Sequence, residues 1–384
     1  MAVDTLYFSR DTKVFIKIGT AIWEVPVLDG FSFSQATNST EVTLAEMEDS
    51  AGSSKRGRAI FNDSLAPVEW SFSTYVRPFK SAGTNTAGNA SKNGTTNHHA
   101  VEEVLWALMV GDASYTATSD SAEPAFTGFT YGSDDLDIAF SSSNKSTLGT
   151  ADIFFVLGSG KSNPTVYKCA SAVVNEASID FDIDGLATIN WSGFGSTLTQ
   201  DSTPTATVYE DITATDNFIR NRLSVLEITA NDTTTFPGSG SGVYTLTLTG
   251  GNITVSNNIS YITPEELGTV NSPVGHVTGA RSVSGSFSCY LGLDSGTNTG
   301  TSTDFFNDMT STAAKAKITN SFSTTFNVGG TSATPRMEFA MPTAHFEIPA
   351  HSIEDVISLE TTFNGLPSTI GGTNEATIKY VGAA

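Results

Sequence analysis

Strand-like segments recur twice in the same order along this chain, and that ordered recurrence limits the fold more than any single motif does. In the first half, Gly30-Phe31-Ser32-Phe33-Ser34 leads to Glu41-Val42-Thr43-Leu44-Ala45-Glu46-Met47. In the second, Gly251-Asn252-Ile253-Thr254-Val255 leads to Ser260-Tyr261-Ile262-Thr263-Pro264-Glu265-Glu266-Leu267. Next, Trp70-Ser71-Phe72-Ser73-Thr74-Tyr75 is echoed by Gly285-Ser286-Phe287-Ser288-Cys289-Tyr290, and finally Leu186–Gly193 is echoed by Ser358–Gly365. Alternation with a period of two places successive side chains on opposite faces, so these segments read as half-buried antiparallel strands. Helical pattern is scarce. One helix is predicted at about Ala100–Met109, with Val101, Val104, Leu105 and Leu108 on one face. A second runs from about Asp304 to Lys315, with Asp304 capping its first turn and Lys315 and Lys317 at its negative end.

The expected fold class is therefore all-β, built as two tandem antiparallel β-sandwich or half-barrel domains, each with a short flanking helix. The polar segment Thr199–Thr207, with Pro204, divides them at about 1–200 and 201–384. The low-complexity stretches Ser81–Thr96, Pro237–Gly242 and Gly296–Thr303 read as exposed loops.

Charge narrows the partners. The formal net charge is −21, and each half is acidic by itself, with 12 basic against 23 acidic residues in 1–200 and 7 against 17 in 201–384. Attraction to nucleic acid or to an anionic membrane needs clustered Lys and Arg, and this chain has no such cluster of consequence. The two cysteines, Cys169 and Cys289, are far apart, with no CxxC or Cys/His cluster around them, so neither a disulfide framework nor a zinc site is indicated. The opening MAVDTLYFSRDTKVF has no basic n-region or apolar h-region, which predicts assembly in the cytoplasm.

Two motifs imitate binding loops and fail on inspection. Leu157-Gly158-Ser159-Gly160-Lys161-Ser162 follows an apolar run as a P-loop does, but Phe155 stands where its first glycine belongs, and β-type sequence follows it. A hairpin turn is the simpler reading. Asp180-Phe181-Asp182-Ile183-Asp184-Gly185 copies the opening of a calcium loop, but Trp191 replaces the required acid at the twelfth position. On a strand the same spacing turns Ile179, Phe181 and Ile183 to the core and leaves Asp180, Asp182 and Asp184 as a water-facing row. The histidines His98, His99, His276, His345 and His351 make no ligand set, and GxSxG and HExxH do not occur. No catalytic residue, metal or cofactor is expected. The segment Glu41–Arg58 is of a different kind. Glu41, Glu46, Glu48 and Asp49 precede Lys55, Arg56 and Arg58 across a Gly/Ser turn, a two-signed loop suited to head-to-tail contact with its own copies.

The stretch from Ile22 through Pro78, including IWEVPVLDGFSFSQATNSTEVTLAEMEDS, the KRGR loop and FNDSLAPVEWSFSTYVRP, resembles the N-terminal part of phage major tail tube proteins. ASIDFDIDGLATINWSGFG, Ala177–Gly195, resembles the strand pair that closes a domain of that family. The resemblance implies a virion structural protein of the tail, not an enzyme. Its copies would form rings whose inner sheets join as one barrel, stacked helically into a conduit for DNA ejection. Other partners would be tail proteins such as the terminator, the tape measure and the baseplate or tip. Genomic DNA would pass without specific binding, and no membrane is involved. Two domains per chain favour three chains per ring with pseudo-sixfold symmetry. The lumen is then expected to be acidic, with Asp180, Asp182, Asp184 and Glu347 as candidate lining residues. The Glu41–Arg58 loop and its counterpart at Glu265-Glu266 are expected at the contact between rings. The competing readings are a decoration or S-layer-like protein, a carbohydrate-binding or adhesin module with Trp23, Trp70 and Trp191 as an exposed platform, and a β-sandwich hydrolase with dispersed carboxylates.

Overall fold

The computed structural model describes residues 6–19, 21–42, 59–80, 98–111, 115–116, 125–126, 128–132, 134–140, 148–204, 217–268, 270–292, 300–331 and 335–381. All ladders between its named strands are antiparallel. In the first half these are β1 (Thr12–Ile18), β2 (Ala21–Val25), β3 (Ser32–Val42), β4 (Ala59–Tyr75), β5 (Asp135–Ala139), β6 (Ala151–Leu157), β7 (Thr165–Phe181), β8 (Thr188–Gly195) and β9 (Thr197–Asp201). Seven of them pair in the order β2-β1-β6-β7-β8-β4-β3, and β9 lies against the first part of β7.

The second half holds β10 (Val225–Ala230), β11 (Val243–Leu246), β12 (Leu248–Ser256), β13 (Ser282–Tyr290), β14 (Phe322–Val328), β15 (Arg336–Phe346), β16 (Ile357–Gly365) and β17 (Thr377–Val381). They pair in the order β11-β10-β14-β15-β16-β13-β12, with β17 on β15 as β9 is on β7. The two ladders have the same sequence order and the same pairing order.

Two junctions unite the halves. The later part of β7 pairs with β12, from Glu176 opposite Ser256 to Phe181 opposite Gly251, which makes β3-β4-β8-β7-β12-β13-β16-β15 one continuous eight-stranded sheet. β7 can serve two sheets because it bends. A register shift between Val174 and Glu176 and a left-handed Ser171, φ 49°, turn the strand where β6 leaves it and β12 takes over. The second junction is β17, which inserts between β5 of the first half and β15 of the second.

The alternation predicted from sequence is the alternation of burial. On β8, Ile189 and Trp191 are buried while Asn190 and Ser192 face outward. Trp23, Trp70 and Trp191 are each 1–2% exposed, so these three form no exposed platform, and each buried large side chain contributes roughly 1.5–3 kcal/mol of transfer free energy. Close packing also explains Gly193, where any Cβ would collide with the Val173 carbonyl and the Trp70 indole.

Both helices differ from the sequence expectation. α1 (Glu103–Val110) has all eight residues buried, not one face. Trp106 packs edge-on to Trp191 at 4.8 Å, and Gly111 ends the helix in the left-handed conformation. The second helix begins before Asp304: α2 (Ser302–Thr310) is capped by Thr301, with Asp304 returning the bond to the Thr301 N–H as the third helical residue of a capping box. Ser311 then interrupts it and caps a further turn, α3 (Thr312–Lys315). The apparent P-loop is the turn between β6 and β7, with Gly158 at φ 73°, and a strand follows where a phosphate site needs a helix.

Candidate functional site

Where the eight strands pair with one another, one set of alternate residues enters the core and the other set makes an open face. That face carries Ser32, Ser34, Ser71, Ser73, Asn190, Ser178, Asn252, Thr254, Ser284, Ser286, Ser288, Thr362 and Asn364. Its carboxylates are Glu69, Glu176, Asp180 and Glu360 on the strands and Glu347 just past β15, and the strand residues of this face include no Lys or Arg. Short polar side chains bond across the strands: Ser73 donates to Asn190 at 2.6 Å, Asn190 to Asp180 at 2.9 Å, and Ser286 to Asn252 at 2.8 Å. These contacts hold the hydroxyls and amides in place across neighbouring strands. A depression of about 500 Å³ lies between Gly250, Ser286, Glu347 and Glu360 in its second half.

Asp180 and Glu347 thus lie on one face, as do three carboxylates that sequence reasoning did not single out. Glu69, Glu176 and Glu360 were legible as the polar members of alternating runs. Asp182 and Asp184 are elsewhere. β7 ends at Phe181, so the predicted three-acid row is broken: Ile183 is 42% exposed instead of entering the core, and Asp184 lies 3.7 Å from Arg222 on the rim.

Beyond Val68, β4 loses β8 as a partner and continues with β3, joined by a bridge from Ser64 to Asn271. Residues 59–67 therefore form a two-stranded ribbon reaching roughly 30 Å past the sheet. Val42, Ile60 and Phe61 on it are 41%, 63% and 51% exposed. Glu41 is on β3, whereas Glu46, Glu48, Asp49, Lys55, Arg56 and Arg58 lie outside the described residues. Beside the ribbon stands a hairpin of Ile259–Ile262 and Gly275–Thr278, whose loop carries the exposed Glu265 and Glu266. Ribbon and loop touch where the Leu65 N–H donates to the Asn271 carbonyl at 2.8 Å, and a groove between them is lined by Phe61, Glu265, Glu266, Leu267 and Val270. Glu41, at the described end of the first predicted contact segment, is thus carried on the ribbon that the Glu265-Glu266 loop flanks.

Titratable groups inside the protein are arranged for packing. The Tyr380 hydroxyl donates to Glu102 at 2.6 Å and accepts from Trp106 Nε1 at 2.7 Å. Burial raises the Glu102 carboxyl to about 7, against the opposing pull of the Tyr380 hydrogen bond and the nearby Arg77 charge. Burial likewise pushes the thiols of Cys169 and Cys289 up to about 12, far from a nucleophilic thiolate. Among the described residues, no group of three or more His, Cys, Asp or Glu could hold a metal ion.

No family model matches the chain. Among curated proteins it is similar to the tail tube protein pb6 of Escherichia phage T5, with 29% identity across 98% of this chain and 76% of that protein. The likeness runs through both ladders, and it bears out the resemblance read from Ile22–Pro78 and Ala177–Gly195.

Proposed function

We propose, from the premise that this chain is a relative of the tail tube proteins of tailed phages, that it is a structural subunit of the tail tube and works by self-assembly, not catalysis. The observation that carries the reading is the β7-β12 junction. Two ladders of identical order, joined edge to edge inside one chain, supply a template for joining chains. They support an internal duplication, with units of about 1–200 and 201–384.

The unsatisfied edges support one way for a ring to close. At the internal junction, β12 pairs with β7 beyond the point where β6 departs. The corresponding edges at the ends of the eight-stranded sheet are β3, which pairs with β4 alone, and β15 beyond the end of β14. Asn320 caps this latter edge by holding both the N–H and the C=O of Phe346, and exposed Glu347 and Ile348 follow. Pairing β3 of one chain with the edge after Phe346 of the next removes both exposed edges at once. Three chains then supply six units, and the open faces line a bore of hydroxyls, amides and carboxylates. Such a surface gives DNA no cation to bind, as a sliding polyanion requires.

The ribbon supports stacking. A two-stranded ribbon with little further packing is marginal in water, and exposed Val42, Ile60 and Phe61 gain burial when another ring covers them. Glu41, Glu46, Glu48, Asp49, Lys55, Arg56 and Arg58, with Glu265 and Glu266, then act at the junction between rings. The other partners are the remaining proteins of the tail.

Electron microscopy of the purified protein, with the mass of isolated rings, tests this reading. Hollow tubes built from three-chain rings are expected. Rings of six chains would assign the second unit another role, and persistent monomers would remove the reading altogether.

A further inference from the structure

One hairpin of the second half is fastened to the first half through a titratable side chain. In the hairpin of Ile259–Ile262 and Gly275–Thr278, Tyr261 stands opposite His276, and both bond to first-half backbone. The Tyr261 hydroxyl donates to the carbonyl of Ser171 at 2.8 Å, the left-handed residue at which β7 turns. His276 is 7% exposed, and its Nε2 accepts the Leu148 N–H at 2.8 Å. Leu148, Val173 and Ile259 form a small apolar cluster along this seam, with Phe194 and Tyr261 packed against it. We propose that His276 is an acid-sensitive latch, whose protonation frees the hairpin from the first half. The latch belongs to one folded chain and does not depend on ring assembly.

A ring nitrogen that accepts an amide N–H must keep its lone pair there, so the bond to Leu148 requires neutral imidazole with its proton on Nδ1. A proton added at Nε2 sets two donors against each other and breaks the bond. Nothing nearby compensates the new charge. The titratable groups on the elements around the ring are Tyr261, Glu265 and Glu266 on the hairpin and its loop, and Lys168, Cys169 and Glu176 on β7. β6 adds Asp152, which is already held by Lys168 and by the Ser171 N–H, and β8 brings Phe194 with no ionisable group. None of these is bonded to the imidazole, whose one hydrogen bond is to Leu148. Burial accordingly holds His276 below its ordinary 6.5. The seam is therefore complete above about pH 6.5 and weakens as pH falls below it. Because the hairpin loop also accepts the Leu65 N–H at Asn271, release extends to the groove beside the ribbon.

Hydrogen exchange of the full chain at about pH 8 and pH 5, corrected for the intrinsic pH dependence of amide exchange, tests the latch. A local readout is needed because burial raises the Glu102 carboxyl, so acid strengthens the surroundings of α1 while it loosens the hairpin. Protection at Leu148 and in both hairpin strands should fall on the order of tenfold at the lower pH, with β13 and β16 unchanged. His276→Gln retains a neutral acceptor and His276→Ala has none, so both should lose the pH step, the first with a protected hairpin and the second with an exposed one. A wild-type hairpin equally protected at both pH values overturns the latch. So does a pH step that persists in either variant, or a loss of protection at pH 5 shared by β13 and β16, which is global unfolding.

Discussion

α1 and α2 occupy the same place in their ladders, one between β4 and β6 and the other between β13 and β14, yet they are opposite kinds of helix. α1 reads EVLWALMV and is buried on every side. α2 reads STDFFNDMT and buries Ser302, Phe305 and Met309. The difference lies in what covers them. β17, from the far end of the chain, lays Tyr380 over Trp106 and Glu102, and Asn257 of the second half donates to the Met109 carbonyl at 3.0 Å, satisfying the end of α1. α2 is held by its own half, through Tyr244, which donates to Asp308 at 2.6 Å and packs on Phe305. One ladder order thus supports two packings, and the first half's core is completed by the second half.

The largest expected effect follows directly. Trp106→Ala should cost about 3–5 kcal/mol, whereas Phe306→Ala, on the partly exposed side of α2, should cost about 1 kcal/mol. Urea unfolding of both variants checks this, and equal costs would dissolve the contrast between the helices.

A smaller effect concerns pH. The fold raises the Glu102 carboxyl from an ordinary 4.5 to about 7, so the native state holds that proton more tightly than the unfolded chain. The resulting stabilisation is complete below about pH 4.5 and is lost as pH rises through about 7, by an amount on the order of 3 kcal/mol. Glu102→Gln keeps an acceptor for Tyr380 and should flatten this component, leaving the variant more stable than the parent at pH 8. Melting curves from pH 5 to 8 that run parallel for the two proteins would refute it. The smallest effect belongs to α2, where Thr301→Ala removes the cap and should cost about 1 kcal/mol. Hydrogen exchange should then rise in the first turn of α2 and stay unchanged in α1.

Local pattern carried the strand reading. Alternation located β4, β8, β13 and β16, because polar turns and period-two burial are written in neighbouring residues. Their order was legible too. Non-local closure was not: nothing near Asp135 signals pairing with Val381, and the apolar stripe of α1 gave no sign that its other faces would also be covered. The Asp180–Asp184 reading failed at the strand end, where Gly185 at φ 103° turns the chain and alternation stops deciding which way a side chain points. Asp304 was read as a cap because Thr301 closes a polar low-complexity run, and its hydroxyl gives no pattern of its own. That Asp180 and Glu347 share a face with other polar residues was legible because each belongs to or adjoins a run with clear alternation, whereas Glu69, Glu176 and Glu360 stand out from other polar residues through the joining of β7 and β12.

The placement of β17 also sets a schedule for synthesis. A ribosome adding about 5–20 residues per second completes β5 well before it releases Thr377–Val381, an interval of tens of seconds. Through that interval the nascent first half has its helix and most of its strands but not the strand that closes over Trp106. An apolar helix left uncovered for so long is a target for holding chaperones and for premature association with other nascent copies. Translation through Thr377–Val381, and not completion of the first half, is therefore the event that commits the chain to its native core.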